Sequence, residues 1–255
     1  MAPRRFEPYT TLKPFEKLFQ TGLPILMYHK LGPRPRGARL KGLYVSEDLF
    51  GRQLAELHEA GFRSVLLPGS GHPAVGGPRR IVLTFDDGCC NVLEFGLRLL
   101  ARHQFQAIQF LVAGRLGGTN DWDLAQGELP VALRDRNQVR EWLAAGHQIG
   151  SHTVHHPWLT RLSPDWAREE ITASKKMLED TFGVPIEHFC YPYGDWNPRV
   201  RDLVAEAGYH TACTTEAGIN LPETDRFALK RFTARYPSRN LKAVWARLRR
   251  RVSGV

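Results

Sequence analysis

The fold class read from the sequence is α/β, either a barrel or a doubly wound parallel sheet, and three observations carry that reading. Short apolar runs alternate along the chain with segments of helical period. One run, Ile81-Val82-Leu83-Thr84-Phe85, is apolar at nearly every position, as expected of a strand covered on both faces. The length, 255 residues, suits a single barrel, an architecture that fills roughly 200–250 residues as one unit.

The predicted strands are Ile25–Tyr28, Ser64–Leu67, Ile81–Phe85, Ala107–Val112, Gln148–Ser151, His188–Tyr191, Thr211–Thr214 and Ala228–Phe232. Ser46 can cap a helix bearing Leu49, Phe50, Leu54 and Leu57 and ending at Gly61. Leu93, Leu97 and Leu100 form a second stripe. Ser163-Pro164 reads as a cap followed by an N1 proline, ahead of Ala167, Ile171, Ser174, Leu178 and Phe182. Val200, Leu203, Val204 and Ala207 make a fourth helix, with Asn197 before Pro198 as its cap and Gly208 at its end. The domain reading is an N-terminal extension over 1–22, interrupted by Pro3, Pro8 and Pro14, a barrel domain over 23–240, and a basic segment over 241–255.

Composition excludes several classes. At 42% hydrophobic and 24% charged, with 23 Gly and 17 Pro, the chain is neither disordered, collagen-like nor a coiled coil. No apolar run approaches the ~18–20 residues of a spanning helix. After Arg4 and Arg5 the stretch Phe6–Thr11 is not an apolar signal core, so a cytoplasmic address is expected. Cys89, Cys90, Cys190 and Cys213 show no disulfide or metal-knuckle spacing and read as reduced, packed thiols. The net charge of +9 favours anionic partners, but no nucleic-acid motif accompanies it and no nucleic acid is expected. Leu241, Val244, Leu248 and Val252 share a face amid arginines, so Leu241–Val252 reads as a last helix with a solvated tail or as a membrane-surface helix.

Both barrels and doubly wound sheets place their sites at the C-terminal ends of strands. Three polar clusters follow predicted strands: Thr84–Gly88, Gly150–Pro157 and Cys190–Asp195. In the first, one of the adjacent carboxylates Asp86 and Asp87 can hold a metal while the other accepts a proton. In the second, His152 and His156 are four apart, so one helical turn would put both imidazoles on one face. His155, three after His152, competes for that role. One carboxylate and two imidazoles leave room for water and substrate, as catalytic zinc sites do.

Thr84–Gly88, His152–His156 and Tyr191–Gly194 resemble, in order, the first three motifs of the NodB-homology polysaccharide deacetylases, carbohydrate esterase family four. The resemblance extends from about Leu23 to Phe232. It implies a distorted (β/α)7-type barrel, a divalent metal (zinc, or cobalt or nickel), and hydrolysis of N-acetyl groups on amino sugars. It makes Asp86 the catalytic base and Asp87, His152 and His156 the metal ligands. Tyr191 falls where the family's backbone N–H helps hold the oxyanion. Met27-Tyr28-His29 is similar to the subgroup that supplies its general acid, here His29, near the N-terminus. Cys190 departs from the pattern, standing where the family often has an arginine that pairs with the catalytic aspartate. A thiol supplies no fixed cation, so some other group must control the ionisation of Asp86.

Trp122, Trp158, Trp196 and Tyr193 lie in or just after these clusters and are candidates for sugar contact. The function expected is therefore metal-dependent N-deacetylation of a polysaccharide or of a lipid- or nucleotide-linked sugar precursor. A deformylase, a cyclic-amide hydrolase and an inactive carbohydrate-binding module on the same scaffold are the alternatives.

Overall fold

The computed structural model describes residues 8–67 and 78–236. The segment Leu241–Val252 lies outside them. The strands are β1 (Ile25–Tyr28), β2 (Lys30–Leu31), β3 (Tyr44–Val45), β4 (Arg63–Ser64), β5 (Arg80–Phe85), β6 (Ile108–Leu111), β7 (Gln148–Ser151), β8 (His188–Cys190), β9 (Thr211–Cys213) and β10 (Phe232–Thr233). The helices are α1 (Glu16–Phe19), α2 (Glu47–Glu59), α3 (Asn91–Arg102), α4 (Arg136–Ala144), α5 (Pro164–Phe182) and α6 (Pro198–Glu206).

The main sheet runs β10-β1-β5-β6-β7-β8-β9, and every pairing is parallel. β4 adds to β5, and β2 pairs separately with β3. The ends of the sheet meet through one bent segment. Leu229 bridges in parallel to Cys213 of β9, while Phe232, three residues on, pairs with Leu26 of β1. The single strand expected over Ala228–Phe232 is thus split, and the split closes a distorted barrel of seven strands rather than an open doubly wound sheet. Arg231 sits at the bend.

Period-2 alternation sorts side chains into two layers. Ile25, Val82, Ile108, Phe110, Cys190, Cys213 and Leu229 form the inner cluster. Leu26, Tyr28, Ile81, Leu83, Phe85, Phe189 and Ala212 belong to the larger cluster between strands and helices. The inward parity of β1, β5 and β7, continued past their C-terminal ends, selects His29, Asp86 and His152; that of β8 includes Cys190, and Arg231 stands two residues after the inward Leu229. Period-2 geometry alone therefore delivers most of the polar groups to one mouth.

The helix caps form as the sequence indicates. Ser46 accepts from Leu49 N–H (3.2 Å), Ser163 from Trp166 N–H (3.3 Å) and Asn197 from Val200 N–H (2.9 Å). α4 carries an Asp135/Gln138 capping box that was legible but had no strong apolar stripe beside it. The segment from residue 8, expected as an irregular extension, holds α1 and packs onto the barrel wall. Tyr9 N–H donates to Thr233 C=O (2.9 Å), and the rings of Phe15 and Phe19 lie 5.6 and 5.1 Å from that of Phe232. No helix among the described residues is long and apolar enough to cross a membrane.

Candidate active site

Asp86 and Asp87 follow β5 at the mouth of the barrel. Asp86 continues the inward parity, and Asp87 turns aside at φ 74, followed by Gly88 at φ 82. Residues other than glycine rarely adopt the left-handed region. Among the described residues, four of the six that do so, Asp87, Thr153, His156 and Tyr193, lie in this mouth.

His152 and His156 are brought together by an irregular loop, not by a helical turn. Thr153 (φ 67) and His156 (φ 62) fold the chain back, so the four-residue spacing works by a different geometry from the one expected. His156 Nε2 lies 3.6 Å and His152 Nε2 3.7 Å from the same oxygen, Asp87 Oδ1. His155 is excluded from this group. Its Nδ1 sits 2.6 Å from Glu170 Oε1, and its side chain is half exposed.

The donor set fits a divalent cation. His152 Nδ1 lies 2.7 Å from Cys190 C=O, an obligate acceptor, so Nδ1 carries the hydrogen and Nε2 presents its lone pair to Asp87. Two imidazole nitrogens and a carboxylate oxygen converge there, all ligand atoms falling within 4.8 Å of one another. Ligands at zinc–nitrogen and zinc–oxygen distances around a tetrahedral ion stand about 3.3 Å apart. All three residues are nearly fully buried. Asp86, His152 and Cys190 also approach within 4.8 Å. A cation there would have to displace a guanidinium that occupies both Asp86 oxygens.

That guanidinium belongs to Arg231, which the sequence reading missed. Its Nη1 donates to Asp86 Oδ1 at 2.7 Å and its Nη2 to Oδ2 at 2.8 Å, a bidentate pair with Arg231 wholly buried. Nη1 also reaches Thr84 Oγ1 (3.0 Å), Nη2 lies 3.1 Å from Cys190 Sγ, and Nε donates to Thr214 C=O (2.8 Å). The cation absent from position 190 therefore enters from the bend before β10. The available signal was an arginine inside the predicted strand Ala228–Phe232, where a charge turned inward needs a partner.

Electrostatics separate the two aspartates. Burial alone would raise Asp86, but Arg231 outweighs it and holds the carboxyl well below the usual carboxylate range. Burial, and then the charge of Asp86, push Asp87 up to about 7, with Lys30 partly opposing. His29 places Nε2 3.8 Å from Asp86 Oδ2. Burial pushes its imidazole down to about 4 against the pull of Asp86.

Tyr191 does not offer a free backbone donor. Its N–H donates to Cys213 C=O (3.2 Å) and its hydroxyl to Phe227 C=O (2.9 Å), while its ring packs in the outer core. The parity of β8 turns it outward, which corrects the role inferred from resemblance. Two residues on, Tyr193 stands at φ 59, and no backbone acceptor takes its N–H among the described residues.

An aromatic row borders the metal-type set. Trp122 stacks on His156 (4.5 Å, 20°), Tyr193 meets His156 edge-on (4.4 Å), and Trp158 stacks on Tyr193 (4.2 Å, 6°). The Arg161 guanidinium covers Trp158 at 4.4 Å, necessarily on its other face. Trp196 stands outside the row. It lies over Tyr191 (6.0 Å) and donates from Nε1 to Glu216 Oε1 (3.2 Å).

Comparison with known proteins agrees with this geometry. The sequence profile of the polysaccharide deacetylase family matches residues 74–212, over half of the chain. The chain is 25% identical over 216 residues to YxkH of Bacillus subtilis, itself assigned to the polysaccharide deacetylases, covering 82% of this chain and 70% of that protein. It is 42% identical over 126 residues to chitin deacetylase 1 of Cryptococcus neoformans, a match covering 49% of this chain but only 23% of that one. The Streptococcus pyogenes deacetylase PplD, solved in complex with acetate, superposes with a TM-score of 0.72 at 23% identity, over 88% of this chain and 97% of its own. At that identity the likeness speaks for the fold. With the motifs in place on a seven-stranded barrel and the profile match across its central strands, this chain belongs to the polysaccharide deacetylase family.

Proposed function

We propose that the protein is a metal-dependent hydrolase that removes N-acetyl groups from amino sugars of a glycan or glycan precursor. One observation carries the reading: a carboxylate locked to a buried guanidinium stands directly beside a carboxyl that faces the Nε2 atoms of two buried imidazoles. Asp87, His152 and His156 would hold the metal. When bound there, a divalent cation such as zinc supplies a Lewis acid that polarises an amide carbonyl and eases the deprotonation of water.

Asp86, fixed as an anion and oriented by Arg231, takes the proton from the attacking water. His29 is neutral at neutral pH, so the proton it passes to the departing amine is the one Asp86 has taken. Their 3.8 Å separation marks the path and closes in the substrate complex. The products balance as a free amine and acetic acid, whose remaining proton is then lost to the amine or to solvent. The backbone N–H of Tyr193, rather than that of Tyr191, is the donor left for the developing oxyanion. Trp122 and Tyr193 brace His156 and wall the pocket. The relatives' names, chitin deacetylase among them, support a polymeric N-acetylated substrate.

The test is metal content of untagged protein by plasma mass spectrometry, followed by turnover of N-acetylglucosamine oligomers beside N-formyl and cyclic-amide substrates. About one metal per chain, absent from Asp87→Ala, is expected. Asp86→Asn is expected to keep the metal and lose roughly 10²–10⁴-fold in kcat, the usual worth of a positioned proton acceptor. A metal-free wild type after zinc loading, or an active Asp86→Asn, would refute the mechanism.

A further inference from the structure

The loop His152–His156 carries two of the three metal-type donors in five residues and belongs to no helix or strand. Its backbone donors must therefore be satisfied individually. His152 N–H reaches Leu111 C=O (2.8 Å) and Thr153 N–H reaches Ser151 Oγ (3.4 Å). His156 N–H donates to Thr153 Oγ1 (2.9 Å). The remaining two, those of Val154 and His155, both donate to one carboxylate oxygen, Glu170 Oε2, at 3.0 and 2.9 Å. The other oxygen of Glu170 accepts from His155 Nδ1 at 2.6 Å.

Glu170 lies on α5, a helix of 19 residues anchored by Ala167, Ile171 and Leu178, all fully buried. One turn further along the same face, Ser174 Oγ meets Ser151 Oγ at 2.7 Å. The helix thus grips the last residue of β7 with Ser174 and the turn between the histidines with Glu170. The opposite side of the loop is held by backbone alone. Ala113 and Gly114 N–H donate to Thr153 and Val154 C=O at 2.9 and 3.0 Å. A Cβ on Gly114 would meet Val154 O at 2.7 Å, so the loop is clamped between the 3-10 turn that follows β6 and the Glu170 carboxylate. Two of its residues hold left-handed conformations, which persist only where surrounding contacts over-determine them.

We propose that Glu170 is a positioning residue for the metal centre: its carboxylate templates the strained loop so that the imidazoles of His152 and His156 converge on Asp87. His155, the histidine set aside as a ligand, is held on the same carboxylate on the solvent side. The inference rests on the assignment of Asp87, His152 and His156 as the metal set. It adds a residue distant in sequence and not itself a ligand.

Two measurements test it, one of them independent of metal. The first is zinc affinity by chelator competition on the full chain. Supporting partners behind metal ligands are typically worth 10–100-fold in affinity. That loss is expected for Glu170→Ala and, with the carboxylate drawn back by one methylene, for Glu170→Asp. Glu170→Gln retains one acceptor oxygen for the two N–H groups and is expected to recover most of the affinity. His155→Ala is expected to leave it unchanged. The second measurement is amide hydrogen exchange in metal-free protein, where protection at Val154 and His155 is expected to fall in Glu170→Ala while β7 and α5 stay protected.

Wild-type zinc affinity in a folded Glu170→Ala, or unchanged exchange at Val154 and His155, would overturn the proposal. So would a loss in His155→Ala equal to that in Glu170→Ala. If Glu170→Ala does not fold, Glu170→Gln and Glu170→Asp still decide it by their order. A wild type that binds no zinc sinks the metal assignment instead, and the exchange measurement then decides the positioning role alone.

Discussion

Asp86 and Asp87 are adjacent, chemically identical and equally buried, yet the fold gives them opposite surroundings. Asp86 points into the barrel, where both of its oxygens are taken by Arg231. Asp87 turns out of the strand into the left-handed region and faces His152 and His156. The first is a permanently ionised group whose charge is already neutralised. The second is a carboxyl that burial and the charge of Asp86 push up to about 7, and that a bound cation would hold ionised. Adjacent residues on a strand point to opposite sides, so a doublet at a strand end samples two environments and can divide acid–base work from ligation. In the proposed mechanism this division is what keeps the proton acceptor off the metal.

The largest effect in this comparison is expected from removing the guanidinium. Arg231→Ala strands a buried carboxylate, and breaking a buried pair from one side costs about 3–5 kcal/mol. A thermal melt or urea titration reads the loss. Because Cys190 Sγ lies 3.6 Å from Asp86 Oδ2, Cys190→Arg placed in the Arg231→Ala background returns a cation to the vacated space from β8. That double variant is expected to be more stable than Arg231→Ala alone. If Arg231→Ala melts with the wild type, the difference between the two aspartates has another cause.

A smaller effect concerns acid. Burial pushes His29 down to about 4, and burial with Arg134 pushes His147 down to about 4, against about 6.5 in an unfolded chain. Between those values these two imidazoles are protonated in the unfolded chain and not in the folded one, so their contribution to stability falls as pH drops from about 6.5 to about 4. Each histidine contributes up to about 1.4 kcal/mol per pH unit within that window. His147 lies away from the mouth, at the start of β7, where its Nδ1 accepts from Ala107 N–H (3.3 Å). His147→Gln keeps an acceptor there and is expected to remove that histidine's share of the fall, making urea-derived stability less steep against pH. An unchanged slope would remove His147 from the account.

The smallest effect is expected at Trp196. Its indole is committed to Tyr191 and Glu216, so Trp196→Ala is expected to change KM by less than about twofold, the scale of a surface substitution. A large rise in KM would extend the substrate wall beyond the row formed by Trp122, His156, Tyr193 and Trp158.

How much was readable in advance follows physical lines. Strands β1 and β7 appear at the expected boundaries, and the caps Ser46, Ser163 and Asn197 act as expected, because apolar period and capping are local properties. The doublet Asp86-Asp87 and the pair His152/His156 were legible for the same reason, since each lies within a few residues of a predicted strand end. The N–H of Tyr191, read from the resemblance as an oxyanion donor, is already taken by Cys213 C=O, and a motif match does not reveal which N–H the sheet uses. β2, β3 and α4 were missed because their apolar signal is short or weak.

What the amino-acid order alone settles, then, is the set of locally encoded parts: the repeating strand–helix pattern, the parity that turns Asp86 and His152 inward, and the chemical types at each strand end. Which parts meet was left to the assembled barrel. Arg231 reaches Asp86 across 145 residues of sequence, and Glu170 on α5 braces the loop that holds His152 and His156. Both contacts join segments whose separation no local pattern encodes. Burial makes each of them obligatory, since a charge or a backbone donor withdrawn from water must find its partner within the protein.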